Sequence, residues 1–364
     1  MQPDRSFHTP GDEERKAQVR RGCIVLAVIL TLLAVAVIAL IFLASIWLKR
    51  APKPQPRPAP SGDELQVHVL DVGQGDSILI VAPGGKTVLV DAGVPGSSKV
   101  VMDAMNRYGL KQIDLMVATH AHADHIGGAD EVIRATKVAS VLDSQVPNTT
   151  KNYEDFLKAI KETGAKYIGA SPGQKFDLGG GANLTVLAPI QPFFTKDQLR
   201  SGANEPNANS VVTRLDYGDF SMLLTGDAEA ETEERLMKAG ANIKAKVLKV
   251  GHHGSRYASS EEFLRAGGFE SALISDGQDN RYGHPSQEAL DRFKALGIKI
   301  YRTDLQGEIT LTTRGQGYQI QTARAATGDL WMGRTAQKSE PQRGDVETSY
   351  GSSQTRSSRA TSGK

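Results

Sequence analysis

The sequence has a single cysteine in 364 residues, Cys23, and that one lies inside an apolar run. No disulfide can form within the chain, and a cysteine-built zinc module is excluded. An excess of charge of either sign is also lacking: 43 Lys and Arg stand against 41 Asp and Glu, a formal net charge of +2. A nucleic-acid binder that works through bulk charge is far more basic, so such a partner has to be argued from a site. Histidine is scarce and uneven: of eight, none falls between His125 and His252.

What is present begins with one long uncharged segment. Cys23–Leu48 runs for 26 residues, with only Thr31 and Ser45 carrying hydroxyls. A helix needs roughly 20 apolar residues to cross a ~30 Å hydrocarbon core. A cleaved signal peptide is the alternative, but its apolar region spans about 7–15 residues before a small-x-small site. Here Trp47, Lys49 and Arg50 close the run, which predicts an uncleaved single-pass anchor in the cell membrane over 23–48. Arg5, Arg15, Lys16, Arg20 and Arg21 precede it; Lys49, Arg50, Lys53 and Arg57 follow. The near balance slightly favours a cytoplasmic N-terminal segment over 1–22 and an extracytoplasmic C-terminal part. A Pro-rich linker over 49–62 and a polar, disordered tail over 323–364 then leave one globular domain at 63–322.

Inside that domain strands and helices alternate. Strands are expected at 65–69, 77–81, 87–91, 115–119, 184–187, 210–216, 220–225, 247–250, 271–275, 299–302 and 309–312. Helices are expected at 100–108, 131–136, 153–163, 229–239, 259–266 and 287–296. The order implies an α/β domain of two sheets with helices outside.

The segment Thr119-His120-Ala121-His122-Ala123-Asp124-His125-Ile126-Gly127-Gly128 follows a short buried strand and packs four potential metal ligands into six positions. Residues two apart in extended backbone point the same way, so His120 and His122 can share one cation. As the chain turns into a helix, Asp124 and His125 swing towards a second. Leu223-Leu224-Thr225-Gly226-Asp227 ends an apolar strand in a carboxylate able to bridge two cations. Leu248 to Ser255 delivers His252 and His253 to a loop in the same strand–loop manner.

Together these residues resemble the metallo-β-lactamase superfamily. Asp71-Val72-Gly73-Gln74-Gly75-Asp76-Ser77, Val90-Asp91-Ala92-Gly93, Asn209-Ser210-Val211-Val212, His252-His253-Gly254-Ser255 and Gly283-His284-Pro285-Ser286 narrow the likeness to the extracytoplasmic hydrolase domain of ComEC-type competence proteins. The likeness runs over roughly 65–322; a ComEC protein has a multi-span channel, so a DNA-uptake channel is not implied by one apolar run.

The resemblance implies a four-layer αβ/βα sandwich and two divalent metal ions, zinc or manganese. His120 and His122 would hold the first metal, Asp124 and His125 the second, with Asp227 between them and His253 or His252 as the late ligand. The third histidine usual for the first metal is missing; Asn209 or Ser210 sits about where it should be. Asp91 is expected to orient a ligand histidine. Asp71, Gly73 and Asp76 belong to a tight turn that serves either the site or hairpin geometry alone. The implied reaction is phosphodiester hydrolysis by a two-metal-activated hydroxide, with single-stranded DNA as a candidate substrate. Asp124 would take or orient the water's proton; His284 would act as general acid, phosphate contact or plain loop histidine. Lys249, Arg256 and Arg281, near the motif loops, would either sit as solvated surface residues, their default reading, or meet phosphates. A lactam, thioester or phosphocholine ester is the rival substrate, and a tethered binding module with a degenerate site is the rival of another class. No protein partner follows from the sequence.

Overall fold

The computed structural model describes Arg20, Leu26 and residues 29–39, 62–200, 203–278 and 280–335. The chain divides into two units, 1–56 and 57–364. In the first, Leu26 and 29–39 are helical, with Leu30, Leu33, Val37 and Ile38 exposed. The rest of the expected anchor 23–48, and with it most of 1–22 and of the linker 49–62, lies outside the described residues. Among the described residues no helix is long and apolar enough to cross a membrane.

In the second unit, apolar residues alternate along the strands and build two sheets face to face. The first has eight strands in the order Gln319–Thr322, Ile309–Thr313, Leu65–Val69, Ile78–Val81, Thr87–Val90, Leu115–Ala118, Ser140–Asp143, Lys166–Gly169. The second has seven, in the order Lys299–Arg302, Ser271–Ile274, Val247–Lys249, Phe220–Leu224, Val212–Tyr217, Ala182–Ala188, Lys175–Gly179. Successive side chains on a strand face opposite ways. Ile78, Ile80, Val88 and Val90 therefore point between the sheets to meet Leu184, Leu215, Met222 and Leu224. Leu79, Leu89 and Met116 point outward, where Ser98–Arg107, Ala129–Ala135 and Lys151–Thr163 cover them with Val101, Met105, Ile133 and Phe156. Leu223, Leu248 and Ala272 do the same on the other side beneath Leu236, Phe263, Leu290 and Phe293. The helix–sheet–sheet–helix sandwich follows from that alternation. Burying each large apolar side chain contributes about 1.5–3 kcal/mol.

Six strands were not expected from the sequence: the short parallel pair Gln112–Ile113 and Lys137–Val138, and Ser140–Asp143, Lys166–Gly169, Lys175–Gly179 and Gln319–Thr322. The last three are sheet edges. There one side of the ladder is open, and residues such as Lys175, Gln319 and Gln321 stay exposed. The expected disordered tail also needs correction over 323–335. Arg302, fully buried, donates from NH1 to the carbonyls of Leu330 (2.9 Å) and Met332 (2.7 Å). Arg334 reaches Asp304 at 2.7 Å, and its amide donates to Pro285 O at 2.9 Å. Leu330 and Trp331 pack on the outer cluster of the second sheet. This stretch is tied down by a buried cation that needs its carbonyls, a cause invisible in its composition.

Thr87–Val90, Leu115–Ala118 and Ser140–Asp143 run parallel, as do Phe220–Leu224, Val247–Lys249 and Ser271–Ile274. Their carboxyl ends deliver Asp91, Thr119, Thr225, Val250 and Ser275 to one edge of the sandwich. Loops at the carboxyl ends of such strands are where an α/β fold builds its sites.

Candidate metal centre

At that edge Asp227 is buried in the middle of a ring of histidines. Its Oδ1 lies 3.2 Å from His125 Nε2 and 3.5 Å from His253 Nε2. Its Oδ2 lies 3.8 Å from His120 Nε2 and 3.7 Å from His252 Nε2. Asp124 Oδ2 stands 3.5 Å from His253 Nε2 and 4.0 Å from His125 Nε2. Two groups offer ligand atoms close enough to hold a cation: Asp124, His125, Asp227 and His253, and His120, His122 and Asp227. A third group is Asp76, Asp91 and His125, in which Asp91 is hydrogen-bonded to His125 and Asp76 Oδ2 to Lys249.

Local backbone sets these positions. Gly226 takes φ +51°, and a Cβ there would meet Thr119 Cβ at 2.8 Å, so Asp227 comes that close only behind a glycine. Gly75, at φ +144°, lies so near Asp124 O that a Cβ would stand at 2.2 Å. Asp91 sits at φ +58° and accepts three hydrogen bonds: Thr119 N (2.8 Å), Thr119 Oγ1 (2.7 Å) and His125 Nδ1 (2.7 Å). The expected orienting contact of Asp91 is thus present, to His125. His253 Nδ1 donates to Ser275 O at 2.9 Å, and His252 Nδ1 to Glu229 Oε1 at 2.7 Å. With the outer nitrogen engaged, each ring turns Nε2 inward. A ligating histidine is held this way.

The residues present fit a cation. His125 Nε2, His253 Nε2 and Asp227 Oδ1 are buried and have no hydrogen-bond partner, although they converge. Burial opposes charge on His125, yet Asp227, Asp91 and Asp124 outweigh it and hold the ring well above its ordinary pKa. Asp227 likewise resists ionisation through burial, but His125, His253 and His252 hold it well below the usual carboxylate range. The carboxylates thus draw positive charge to this spot, and a divalent cation answers the same demand. The His/Asp cluster is able to bind metal ions.

A cleft of about 310 Å³ opens onto the cluster, bordered by Gln74, Asn204, Asn207, Tyr282 and His284. Burial pushes His284 down to about 3, so it stands neutral at pH 7. That suits a proton acceptor or a neutral hydrogen-bond partner better than the expected general acid. Its ring meets His252 edge-on with centroids 5.3 Å apart.

Several expectations are corrected here. Lys249 does not face the cleft: it is fully buried and pairs with Asp76 at 2.7 Å. Arg256 points to Glu288 (3.3 Å) and Arg281 lies over Tyr282 (5.1 Å); neither borders the cleft. Asp71 is largely outside the site and faces Arg324 at 3.8 Å. Asn209 is spent on the chain itself, accepting from Phe194 N (2.8 Å) and donating to Phe194 O (3.0 Å) and Glu205 O (2.9 Å). Ser210 Oγ lies 3.5 Å from His120 Nδ1, the nitrogen turned away from Asp227, and accepts from Asp227 N. Asn207, Glu229 and Gln74 are the residues sequence reasoning missed. Asn204 caps the short helix Glu205–Ala208, accepting from Asn207 N, and Pro206 follows; that start signal marks the helix, not which of its residues faces the cleft.

Comparison with known proteins decides the family. The metallo-beta-lactamase superfamily profile matches residues 70–275. The chain belongs to the metallo-β-lactamase superfamily. It is an enzyme of that metal-dependent hydrolase superfamily, and it is similar to proteins named for competence. It is 33% identical over 263 residues to "ComE operon protein 3" of Bacillus subtilis, covering 68% of this chain and 33% of that protein. It is 31% identical over 266 residues to "Competence protein ComA" of Neisseria gonorrhoeae, covering 72% of this chain and 34% of that one. The chain thus spans about a third of the length of these relatives. Among solved structures, the metallo-beta-lactamase fold protein YhfI of Bacillus subtilis matches with TM-score 0.47 and 15% identity, over 69% of this chain and all of that one.

Proposed function

We propose that this superfamily member is a two-metal phosphodiesterase or nuclease, held at the membrane by a helix over 23–48 and acting outside the cytoplasm. The observation that carries the reading is the double ligand set on the two oxygens of Asp227, with its unpartnered Nε2 atoms. His120 and His122 would hold one cation, Asp124, His125 and His253 the other, and Asp227 would bridge. Divalent cations in those places supply Lewis acidity, which makes water more acidic and offsets charge on a phosphoryl oxygen. Asp124 is a quarter exposed to the cleft, and His125 and His253 hold its carboxyl well below its ordinary pKa against the opposing effect of burial. It is therefore ionised and able to orient or accept a proton. Neutral His284 contributes a hydrogen bond to the leaving side of the substrate. Gln74 borders the same space, and its buried amide, without a protein partner, would offer a donor to a phosphoryl oxygen. Relatives named for competence and recombination make DNA the first substrate to try. The exposed apolar side chains of the helix at 29–39 support the anchor.

The test is a substrate panel on the full-length chain in detergent, with zinc and with manganese. Single-stranded DNA and bis-p-nitrophenyl phosphate should be cleaved, and chelation should abolish cleavage. A folded, metal-loaded protein that turns over only a lactam or a thioester overturns the reading. Protease added to intact cells should release the domain; protection until lysis would reverse the orientation.

A further inference from the structure

We propose that His252 and His253 serve different cations, and that His252 supplies the missing ligand beside His120 and His122; this rests on the two-cation reading above. The two histidines are consecutive, and in extended backbone neighbours point to opposite faces, so only one could address Asp227. Here both do. His252 lies at φ 45°, ψ 48° and His253 at φ 52°, ψ 23°, two successive left-handed residues that are not glycine. Each such residue costs about 1–2 kcal/mol, and strain of this kind persists where the surroundings over-determine it, commonly at a functional site. The result is a splay: the rings stand 6.1 Å apart at 69°, with His253 on the Oδ1 side of Asp227 and His252 on the Oδ2 side.

The Oδ2 side is also where His120 faces Asp227. The His252 ring is oriented as the other inward-facing rings are. Its Nδ1 donates to Glu229, whose other oxygen accepts from Arg200, so the tautomer leaves the Nε2 lone pair towards the cleft. His252 Nε2 accepts one long hydrogen bond, from Asn207 Nδ2 at 3.4 Å, while Asn207 Oδ1 is buried without a partner. A cation on this side would replace that long bond at His252 Nε2. The first position would then carry three imidazoles and a carboxylate instead of being ligand-poor. Such a set suits zinc better than magnesium or calcium.

Metal binding reads this out directly, on the full-length chain stripped with chelator and titrated with Zn²⁺ and with Co²⁺, whose visible spectrum reports coordination. The unsubstituted chain should take two equivalents. His252→Ala and His253→Ala should each weaken one equivalent by 100-fold or more. The pair His120→Ala/His252→Ala should still bind one equivalent at the His253 side, whereas His252→Ala/His253→Ala should weaken both. Glu229→Gln keeps a hydrogen-bond acceptor at Nδ1 without its charge, and should weaken only the His252 equivalent, by about 10–100-fold. It should also shift the Co²⁺ spectrum, which a merely structural role would not. Two wild-type equivalents in both His252→Ala and Glu229→Gln sink this proposal alone. One equivalent in the unsubstituted chain sinks the two-cation reading with it.

Discussion

Lys249 Nζ meets Asp76 at 2.7 Å in a place where neither side chain reaches solvent. The ammonium also donates to Val250 O at 2.9 Å. Asp76 resists ionisation through burial, but Lys249 and His253 together hold its pKa below the ordinary value. The pair ties the turn before Ser77 to the strand that delivers the histidines. Lys249→Met should therefore leave a buried charge unpaired and cost about 3–5 kcal/mol in urea unfolding. Removing Asp76 as well, in Lys249→Met/Asp76→Leu, should recover most of that loss. A surface lysine would give a change within about 0.5 kcal/mol.

Far from the metal centre, Glu308 joins the end of one helix to the start of a strand. It accepts from Arg107 NH1 and Tyr108 Oη, each at 2.7 Å. Burial raises its pKa, but His68, Tyr108 and Arg107 outweigh that and bring it from 4.5 to about 2. A depressed folded pKa contributes stability above the unfolded value, and that contribution is lost as pH falls from about 4.5 towards 2. At about 1.4 kcal/mol per unit, Glu308 contributes about 3 kcal/mol at neutral pH. Glu308→Gln should cost about 2–3 kcal/mol at pH 7 and much less at pH 3, measured by chemical unfolding at both.

The stretch 323–335 should be part of the fold in energy as well as in position. Ending the chain at Thr322 removes two carbonyls from buried Arg302 and strips Arg334 from Asp304. Each hydrogen bond to a charged group is worth about 1.5–3 kcal/mol, partly replaced by water once the cover is gone. The expected loss is about 2–4 kcal/mol, seen as a lower melting temperature. An unchanged melting temperature would show that the stretch only decorates the surface.

Much of this was legible because the signals were local. Ile78–Val81 and Phe220–Leu224 read as strands because both faces are buried and every residue but Ser221 is apolar. His120, His122, Asp124 and His125 cluster within six positions, so the sequence displays the centre before any folding is known. Residues that reach the site only through the fold were not legible. Asn207 and Asn209 lie in one segment, and which of them faces the cleft is decided by the helix Glu205–Ala208. Two steps around a helix turn a side chain by about 200°, so the one that faces the metals is not the one that holds Phe194. Lys249 was misread although its signal was present. Period-2 alternation puts it on the same face as Val247, between the sheets, but a lysine draws the eye to solvent.

Gln74 should position substrate without holding metal. Its backbone is pinned on both sides: a Cβ on Gly277 would stand 2.7 Å from Gln74 N, and Gly75 packs against Asp124 O. The residue borders the cleft with Asp124, His253 and His284, and both of its amide atoms are buried and lack a protein partner. A buried polar group left so is costly unless a ligand or water satisfies it, and an amide N–H is a suitable donor to an oxygen gaining negative charge. Gln74→Ala should lower kcat/KM for bis-p-nitrophenyl phosphate by about 10²-fold, the size typical of one lost oxyanion donor. Metal content and melting temperature should stay as they are. Gln74→Glu should be worse, because it sets an anion against an anion. If Gln74→Ala instead lowers the melting temperature and leaves kcat/KM untouched, the amide belongs to the scaffold and the phosphoryl contact lies elsewhere in the cleft.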